Sequence, residues 1–342
     1  MTPYNDFTWS EINSQPDAWA ATLDLLAAQQ GALRGFARDA EQVVFTGCGS
    51  TYYLALAAAA SLRELAGVPA VGLPASEVWL NPAGSFPGGR RTLLVALSRS
   101  GATSETLRAI AAFQAAARGP VLTLSCYPEQ PMARMGDMNL VLAAGQEQSI
   151  AQTRAFTTLQ LGALGLALAW AGRDDLWAEL GRLPAAARGL LASYRALALE
   201  LGGDAAIERC FFLGSGARYG LACELSLKMK EMSLSESEPF HFLEYRHGPQ
   251  SMARPGTLIV GLLSDTHRSH EQAVLSEMRA LGARVVALAA GDAEVSLGDV
   301  AEPVRGPLYL PFGQMLAYER AIARGLTPDR PNQLSAVVML DG

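Results

Sequence analysis

The sequence predicts an α/β protein made of two tandem parallel sheets, each flanked by helices. Three observations carry this prediction. Short apolar runs without charge alternate with segments of helical periodicity, the pattern of parallel strands covered on both faces. Residues 43–65 (VVFTGCGSTYYLALAAAASLREL) resemble residues 210–232 (CFFLGSGARYGLACELSLKMKEM). The length, 342 residues, suits two domains of about 150–170 residues better than one core.

Taken in order, the first half offers strand-like runs at VVFTG (43–47), AVGLPA (70–75), TLLVALS (92–98), PVLTLSC (120–126) and NLVLAA (139–144). Residues 51–66 and 103–117 between them have helical periodicity. In the repeat, Gly47, Gly49, Tyr52 and Glu64 match Gly214, Gly216, Tyr219 and Glu231 at an offset of 167. RTLLVALSRSG (91–101) then parallels GTLIVGLLSDT (256–266), and GPVLTLSC (119–126) parallels ARVVALAA (283–290). A period this long marks a duplicated domain and not a solenoid. Residues 10–36 and 152–202 read as helices that flank or bridge the halves, and ELGGD (200–204) reads as a linker. The expected organisation is a helical segment over 1–40, a first domain over 41–200 and a second over 205–325. A tail over 326–342 starts irregular and ends β-like.

Composition narrows the function. Half the residues are hydrophobic and 18% are charged, so the chain is globular and not disordered. The net charge of −6, with no basic cluster, gives no nucleic-acid surface. The most apolar stretch, LGALGLALAWAG (161–172), is too short to span a bilayer and reads as a buried helix. The N-terminus has neither the basic nor the apolar region of a signal peptide, so a cytoplasmic protein is expected. Cys48, Cys126, Cys210 and Cys223 form no CxxC pair and have no histidine close in sequence. They read as reduced buried thiols, and no metal site is expected.

Two glycine turns follow strands, TGCGST (46–51) and LGSGAR (213–218). A dinucleotide fingerprint needs a third glycine and an acidic residue about 20 positions on, and the first turn lacks that third glycine, so no nicotinamide cofactor is implied. After TLLVAL, the stretch LSRSGATSET (97–106) places Ser98, Ser100 and Thr103 around Gly101 at the start of a helix. One hydroxyl suffices for an N-cap, and the surplus favours an anion cradle such as a phosphate site. In the second half, Lys228 and Glu231 share a helix face by their spacing of three, and His247 follows in Arg-His-Gly-Pro. A partly buried carboxylate beside an ammonium suits a tuned base, and a surface salt bridge is the plain alternative.

The sequence S-x-S-G-x-T, in a chain whose first strand ends in GxGxS/T, resembles the phosphosugar cradle of the SIS (sugar isomerase) domain family. K-x-x-E followed by HGP is similar to that family's catalytic segment. Two SIS domains in tandem resemble the isomerase half of glucosamine-6-phosphate synthase and its stand-alone relatives, among them deaminases, aldose–ketose isomerases and deglycases. The resemblance implies flavodoxin-like α-β-α sandwiches and a phosphorylated sugar as substrate, with no cofactor. It implies phosphate contacts from Ser98, Ser100, Thr103, Thr51, Ser50 and Arg99, and sugar contacts from Gly49, Ala151 and Gln152. SIAQTRAFTTLQ (149–160) is similar to the family's V-A-S-T-K-A-[FY]-T segment, with Gln152 at its serine and Arg154 at its lysine.

The implied chemistry is proton transfer through an enediol or enolamine, with Glu231 as base, His247 opening the ring and Lys228 polarising an oxygen. Gln152, Arg99 and Tyr245 are candidates for setting the choice of sugar. In the synthase, a tail lysine forms a Schiff base with the ketose. Ala336 stands at that place, and no lysine follows Lys230, so a lysine-bound intermediate is not expected. The chain begins Met1-Thr2, without the N-terminal cysteine of the glutaminase, so it is expected not to draw ammonia from glutamine. The implied function is a phosphosugar isomerase or deaminase acting on a 6-phosphorylated amino sugar, as a homodimer with shared sites. The alternatives are a fructosamine-6-phosphate deglycase and a non-catalytic phosphosugar sensor.

Overall fold

The computed structural model describes residues 4–86, 89–116 and 119–340. The first three residues of the N-terminal segment, the last residue of the helix expected over 103–117 and the last two residues of the tail lie outside the described residues. In chain order, α1 (Phe7–Asn13) and α2 (Gln15–Gly35) lead into β1 (Gln42–Gly47), α3 (Ser50–Ala66), β2 (Ala70–Pro74), α4 (Ala75–Leu80) and α5 (Pro82–Ser85). β3 (Thr92–Leu97), α6 (Ser104–Ala115), β4 (Val121–Ser125) and β5 (Met138–Val141) complete the first set. Then come α7 (Arg154–Ala171), α8 (Asp174–Leu180) and α9 (Leu183–Gly203). The second set is β6 (Arg209–Leu213), α10 (Ala217–Ser233), β7 (Glu236–Phe240), β8 (Thr257–Leu262), α11 (Arg268–Ala280), β9 (Arg284–Ala289), β10 (Val295–Ser296) and α12 (Leu310–Ala323).

Two compact units result, each assembled from separated stretches of chain. One comprises Asp17–Glu147, Arg154–Gly181 and Ser335–Gly342; we call it the cradle unit. The other comprises Met1–Pro16, Gln148–Thr153 and Arg182–Leu334; we call it the helix unit, after α10.

The cradle unit carries a sheet in the order β2-β1-β3-β4-β5, and the helix unit one in the order β10-β9-β8-β6-β7. All the pairings are parallel. The register preserves the repeat: Phe45 of β1 faces Val95 of β3, and Phe212 of β6 faces Val260 of β8. The central strands β3, β4 and β8 are buried along their whole length, which is why they read as unbroken apolar runs. Val44, Leu94, Ile110 and Phe113 share one core cluster in the cradle unit. Phe211, Ile259, Val274 and Met278 share another in the helix unit.

The structure departs from the sequence expectation at several elements. β7 (ESEPF) has no apolar run, because it is an edge strand with alternate residues in solvent. The span 152–202, expected to be helical, is three helices, and Gly172 takes a left-handed φ of 66° between α7 and α8. The segment 200–204 is not a linker. Its first four residues close α9, and a Cβ on Gly202 would lie 2.7 Å from the Glu319 Cβ of α12. That glycine is there for helix packing, which sequence alone reads as a break. The tail forms no strand at 336–340. Among the described residues, no helix is long and apolar enough to cross a membrane.

Candidate active site

In the cradle unit, β1 ends on Gly47 and the chain turns through Gly49, at φ 54°, into α3. A Cβ on Gly47 would lie 2.6 Å from the Thr51 hydroxyl, so the turn closes only over a glycine. The buried Thr51 hydroxyl donates to the Cys48 carbonyl and accepts from the Cys48 N–H, each at 2.9 Å. It thereby fixes the turn. Ser50 is buried beside it.

The loop after β3 carries a chain of hydroxyls. Ser98 Oγ lies 3.5 Å from Ser100 Oγ, which lies 3.3 Å from Thr103 Oγ1. Ser98 Oγ accepts from the Gly101 N–H and Ser100 Oγ from the Ala102 N–H. Thr103 occupies the N-cap position of α6, yet its side chain makes no capping bond. The hydroxyls therefore bond among themselves and to the loop, at a helix N-terminus where partial positive charge gathers.

Arg99, in the same loop, turns its buried guanidinium to Glu147 at 3.7 Å and to the Ala336 carbonyl at 2.9 Å. The tail then passes α6. Ser104 N–H donates to the Val338 carbonyl at 3.2 Å, and Leu340 N–H donates to Ser104 Oγ at 3.0 Å. Sequence reading missed this contact, because tail and helix lie more than 230 residues apart. Cys48 is half-buried and 3.6 Å from Thr106 Oγ1, and burial pushes its thiol up to about 11. Cys126, Cys210 and Cys223 are buried free thiols.

In the helix unit, α10 carries Glu224, Lys228 and Glu231 on one face. Lys228 is fully buried, 3.3 Å from Glu224 and hydrogen-bonded to Glu231. Burial opposes its charge, but the two carboxylates outweigh burial and hold its ammonium above the ordinary lysine range. Glu224 was not singled out in the sequence, although its spacing of four from Lys228 was visible there. α10 ends at Leu234, in left-handed conformation, and Arg324 donates to the carbonyls of Ser233 and Leu234.

Glu231 lines a cavity of about 280 Å³ whose other wall is the segment from Gly325 to Asn332, including Thr327 and Arg330. His247 stands on an exposed loop, where its main-chain N–H donates to the Glu244 carbonyl. Tyr245 is fully buried, and burial raises its phenol well above the usual range. Ala151 is buried and Gln152 half-buried in the segment 148–153 of this unit. Among the described residues, the buried Gln152 Oε1 has no hydrogen-bond partner.

The second glycine turn, residues 214–218, is lined with charge. Arg218 replaces Thr51 and pairs with Glu302 at 2.7 Å. Glu271 accepts from the Ser264 N–H and hydroxyl at 2.6 and 3.0 Å. Glu302 accepts from the N–H groups of Asp265 and Thr266 at 3.0 and 3.3 Å. Arg305 grips Asp265 with two bonds of 2.8 and 2.7 Å and holds its carboxyl below the usual range.

Comparison with known proteins matches the SIS domain model to residues 37–169 and 205–295. Glutamine–fructose-6-phosphate aminotransferase (isomerizing) from Xanthomonas campestris pv. campestris is 28% identical over 370 residues, covering all of this chain and 60% of that protein. The chain thus spans about 60% of the length of the curated relatives it matches. A crystal structure of glucosamine-6-phosphate deaminase from Thermotoga maritima is 26% identical with a TM-score of 0.76, covering 94% of this chain and all of that one. The C-terminal domain of glucosamine-fructose-6-phosphate aminotransferase from Francisella tularensis shares the fold, with a TM-score of 0.86 at 23% identity over 96% of this chain and 99% of that one. With most of the chain matched, in two stretches that hold the two parallel sheets, the protein belongs to the SIS domain family.

Proposed function

We propose that the chain is a phosphosugar isomerase or deaminase whose substrate is a 6-phosphorylated amino sugar such as glucosamine 6-phosphate. The observation that carries this reading is Glu231, at the wall of a cavity and paired with a fully buried ammonium. A carboxylate placed there has access to a ligand and a fixed counter-charge, the equipment of a proton shuttle.

In this reading the phosphate sits against Ser98, Ser100, Thr103 and the turn of Ser50 and Thr51. Arg99 acts indirectly, since its charge is already engaged by Glu147. His247 exchanges a proton at the ring oxygen, a task that suits an imidazole near neutral pH. Glu231 removes the C2 proton of the open aldehyde, giving an enolamine with a hydroxyl on C1 and the amine on C2. Returning the proton to C1 gives a 2-imine. Water then adds to the imine carbon, and ammonia leaves as the ketose phosphate forms. Lys228 balances the negative charge that develops on oxygen during the transfer. Ala336 offers no amine, so no step needs a lysine-bound ketose. The exposed loop of His247 suits a site shared in a homodimer, as the family resemblance implies.

The test is to incubate the protein with glucosamine 6-phosphate and measure ammonia and fructose 6-phosphate. Glu231→Gln is expected to lower turnover by roughly 10²–10⁴-fold while phosphosugar binding survives. Tight binding without turnover of any hexosamine or fructosamine 6-phosphate would replace the enzyme with a sensor.

A further inference from the structure

Helix α1 is short, seven residues, yet two buried carboxylates tie it to distant parts of the helix unit, one on the helix itself and the other at residue 329. Glu11, on the helix itself, accepts from the Gln148 N–H at 2.6 Å, from the Ser149 N–H at 3.4 Å and from the Ser149 hydroxyl. Asp329 receives the N-terminus of the helix: Thr8 N–H and Thr8 Oγ1 donate to it at 2.7 Å each, and Phe7 N–H at 3.2 Å. The main chain of Asp329 works in the opposite direction, its carbonyl accepting from the Ile150 N–H at 3.0 Å. At the far end of the same loop, the buried Gln15 donates to Gln314 at 2.8 Å, and Gln314 donates to the Thr153 carbonyl at 3.2 Å.

The segment 148–153 is therefore held at four of its six positions before α7 begins, at residues 148, 149, 150 and 153. Short exposed loops do not need this. A carboxylate buried to 4% exposure has lost most of its hydration, and it is stable only because every donor around it is in place. The segment so held carries Ala151 and Gln152, and Gln152 keeps a buried acceptor oxygen without a protein donor. Immediately after Asp329, Arg330, Pro331 and Asn332 form the wall of the Glu231 cavity. One hydrogen-bonded hub thus sets both the loop that presents Gln152 and the wall that faces Glu231.

We infer that Glu11 and Asp329 are positioning residues for the sugar end of the ligand, acting through segment 148–153 and wall 330–332. The inference rests on the function proposed above. The ligand supplies the donor that the Gln152 oxygen lacks, a hydroxyl or an ammonium on the sugar. Glu11→Gln keeps the shape but offers one acceptor oxygen where the carboxylate offers two, and it turns an amide N–H₂ toward a donor. Ser149→Ala removes a single donor and leaves α1 untouched.

The experiment compares wild type, Glu11→Gln, Asp329→Asn and Ser149→Ala for binding of glucosamine 6-phosphate and of inorganic phosphate, for KM and kcat, and for thermal midpoint. Glu11→Gln is expected to raise KM for the sugar phosphate roughly tenfold with inorganic phosphate affinity within about twofold, because the cradle hydroxyls belong to the other unit. Ser149→Ala is expected to show a smaller loss in the same direction. Unchanged sugar-phosphate affinity in all three variants would overturn the inference. So would an equal loss for sugar phosphate and inorganic phosphate, which would mean general loosening. If wild type binds but does not turn over, the proposed reaction fails while the affinity comparison still decides the role of the hub. If Glu11→Gln does not fold, Ser149→Ala alone decides it.

Discussion

At residues 47–51 and 214–218 the chain builds the same strand–glycine–helix turn twice and lines it differently. The first turn faces hydroxyls that bond to one another, and the nearby Arg99 is drawn off by Glu147. The second faces Arg218, Arg305 and Arg268, with Glu271, Glu302 and Asp265 already seated among them. Beside the second turn, the N–H groups of Ser264, Asp265 and Thr266, in the loop after β8, donate to the protein's own carboxylates. The comparison teaches that the backbone plan does not make an anion site. What separates the two turns is that protein carboxylates take the loop donors beside the second.

The largest effect is expected from Glu271→Ala. It strands the Ser264 N–H and hydroxyl in a buried place, and should cost about 2–3 kcal/mol in unfolding free energy. Denaturant titration measures this, and phosphate affinity should not move. If phosphate affinity falls in step with stability, the two turns are not independent. Gly47→Ala comes next, because its Cβ would meet Thr51 at 2.6 Å. A loss of about 1–3 kcal/mol is expected, with weakened phosphate binding, whereas Gly214→Ala should destabilise similarly and leave binding alone.

Thr103→Ala should weaken inorganic phosphate by roughly tenfold while the thermal midpoint hardly changes, whereas Ser98→Ala should weaken it similarly and also lower the midpoint, because it strands the buried Gly101 N–H. Calorimetry should also return one phosphate per wild-type chain, and two would break the comparison. The smallest effect is the response to acid. Arg305 depresses the Asp265 carboxyl, so this pair contributes stability above the ordinary carboxylate pKa, and that contribution is lost as pH falls through the lower folded value. Wild type and Asp265→Asn should therefore differ in urea midpoint at pH 6 and converge well below pH 4. A difference that persists in strong acid would mean that Asp265 acts by shape and not by charge.

Much of the fold was legible because its strands are buried on both faces. TLLVAL and TLIVGL carry no charged residue to disguise them. The order of hydroxyls around Gly101 was legible for a similar local reason. β7 was not, since an edge strand keeps charge on alternate residues. Gly202 was misread because a glycine at a helix crossing and a glycine in a linker look alike in sequence. Glu224 was missed although local, and the hub of Glu11 and Asp329 could not be found by any spacing rule. Its bonds join residues 137 and 321 positions apart.

That last separation bears on how the protein is made. Thr8 leaves the ribosome early, but the carboxylate that receives it is 321 residues behind. At about 5–20 residues per second, Asp329 follows some 15–65 seconds later. Through that interval the N-terminus of α1 has only its local cap, Asp6, and segment 148–153 lacks the Ile150 bond that Asp329 supplies. The helix unit thus joins stretches of chain 321 residues apart, and only a polypeptide that has reached Asp329 can make that join. A ribosome that stops short of Asp329 releases a chain in which the Phe7 and Thr8 donors of α1 lack their acceptor, which gives proteases a loosened helix to attack.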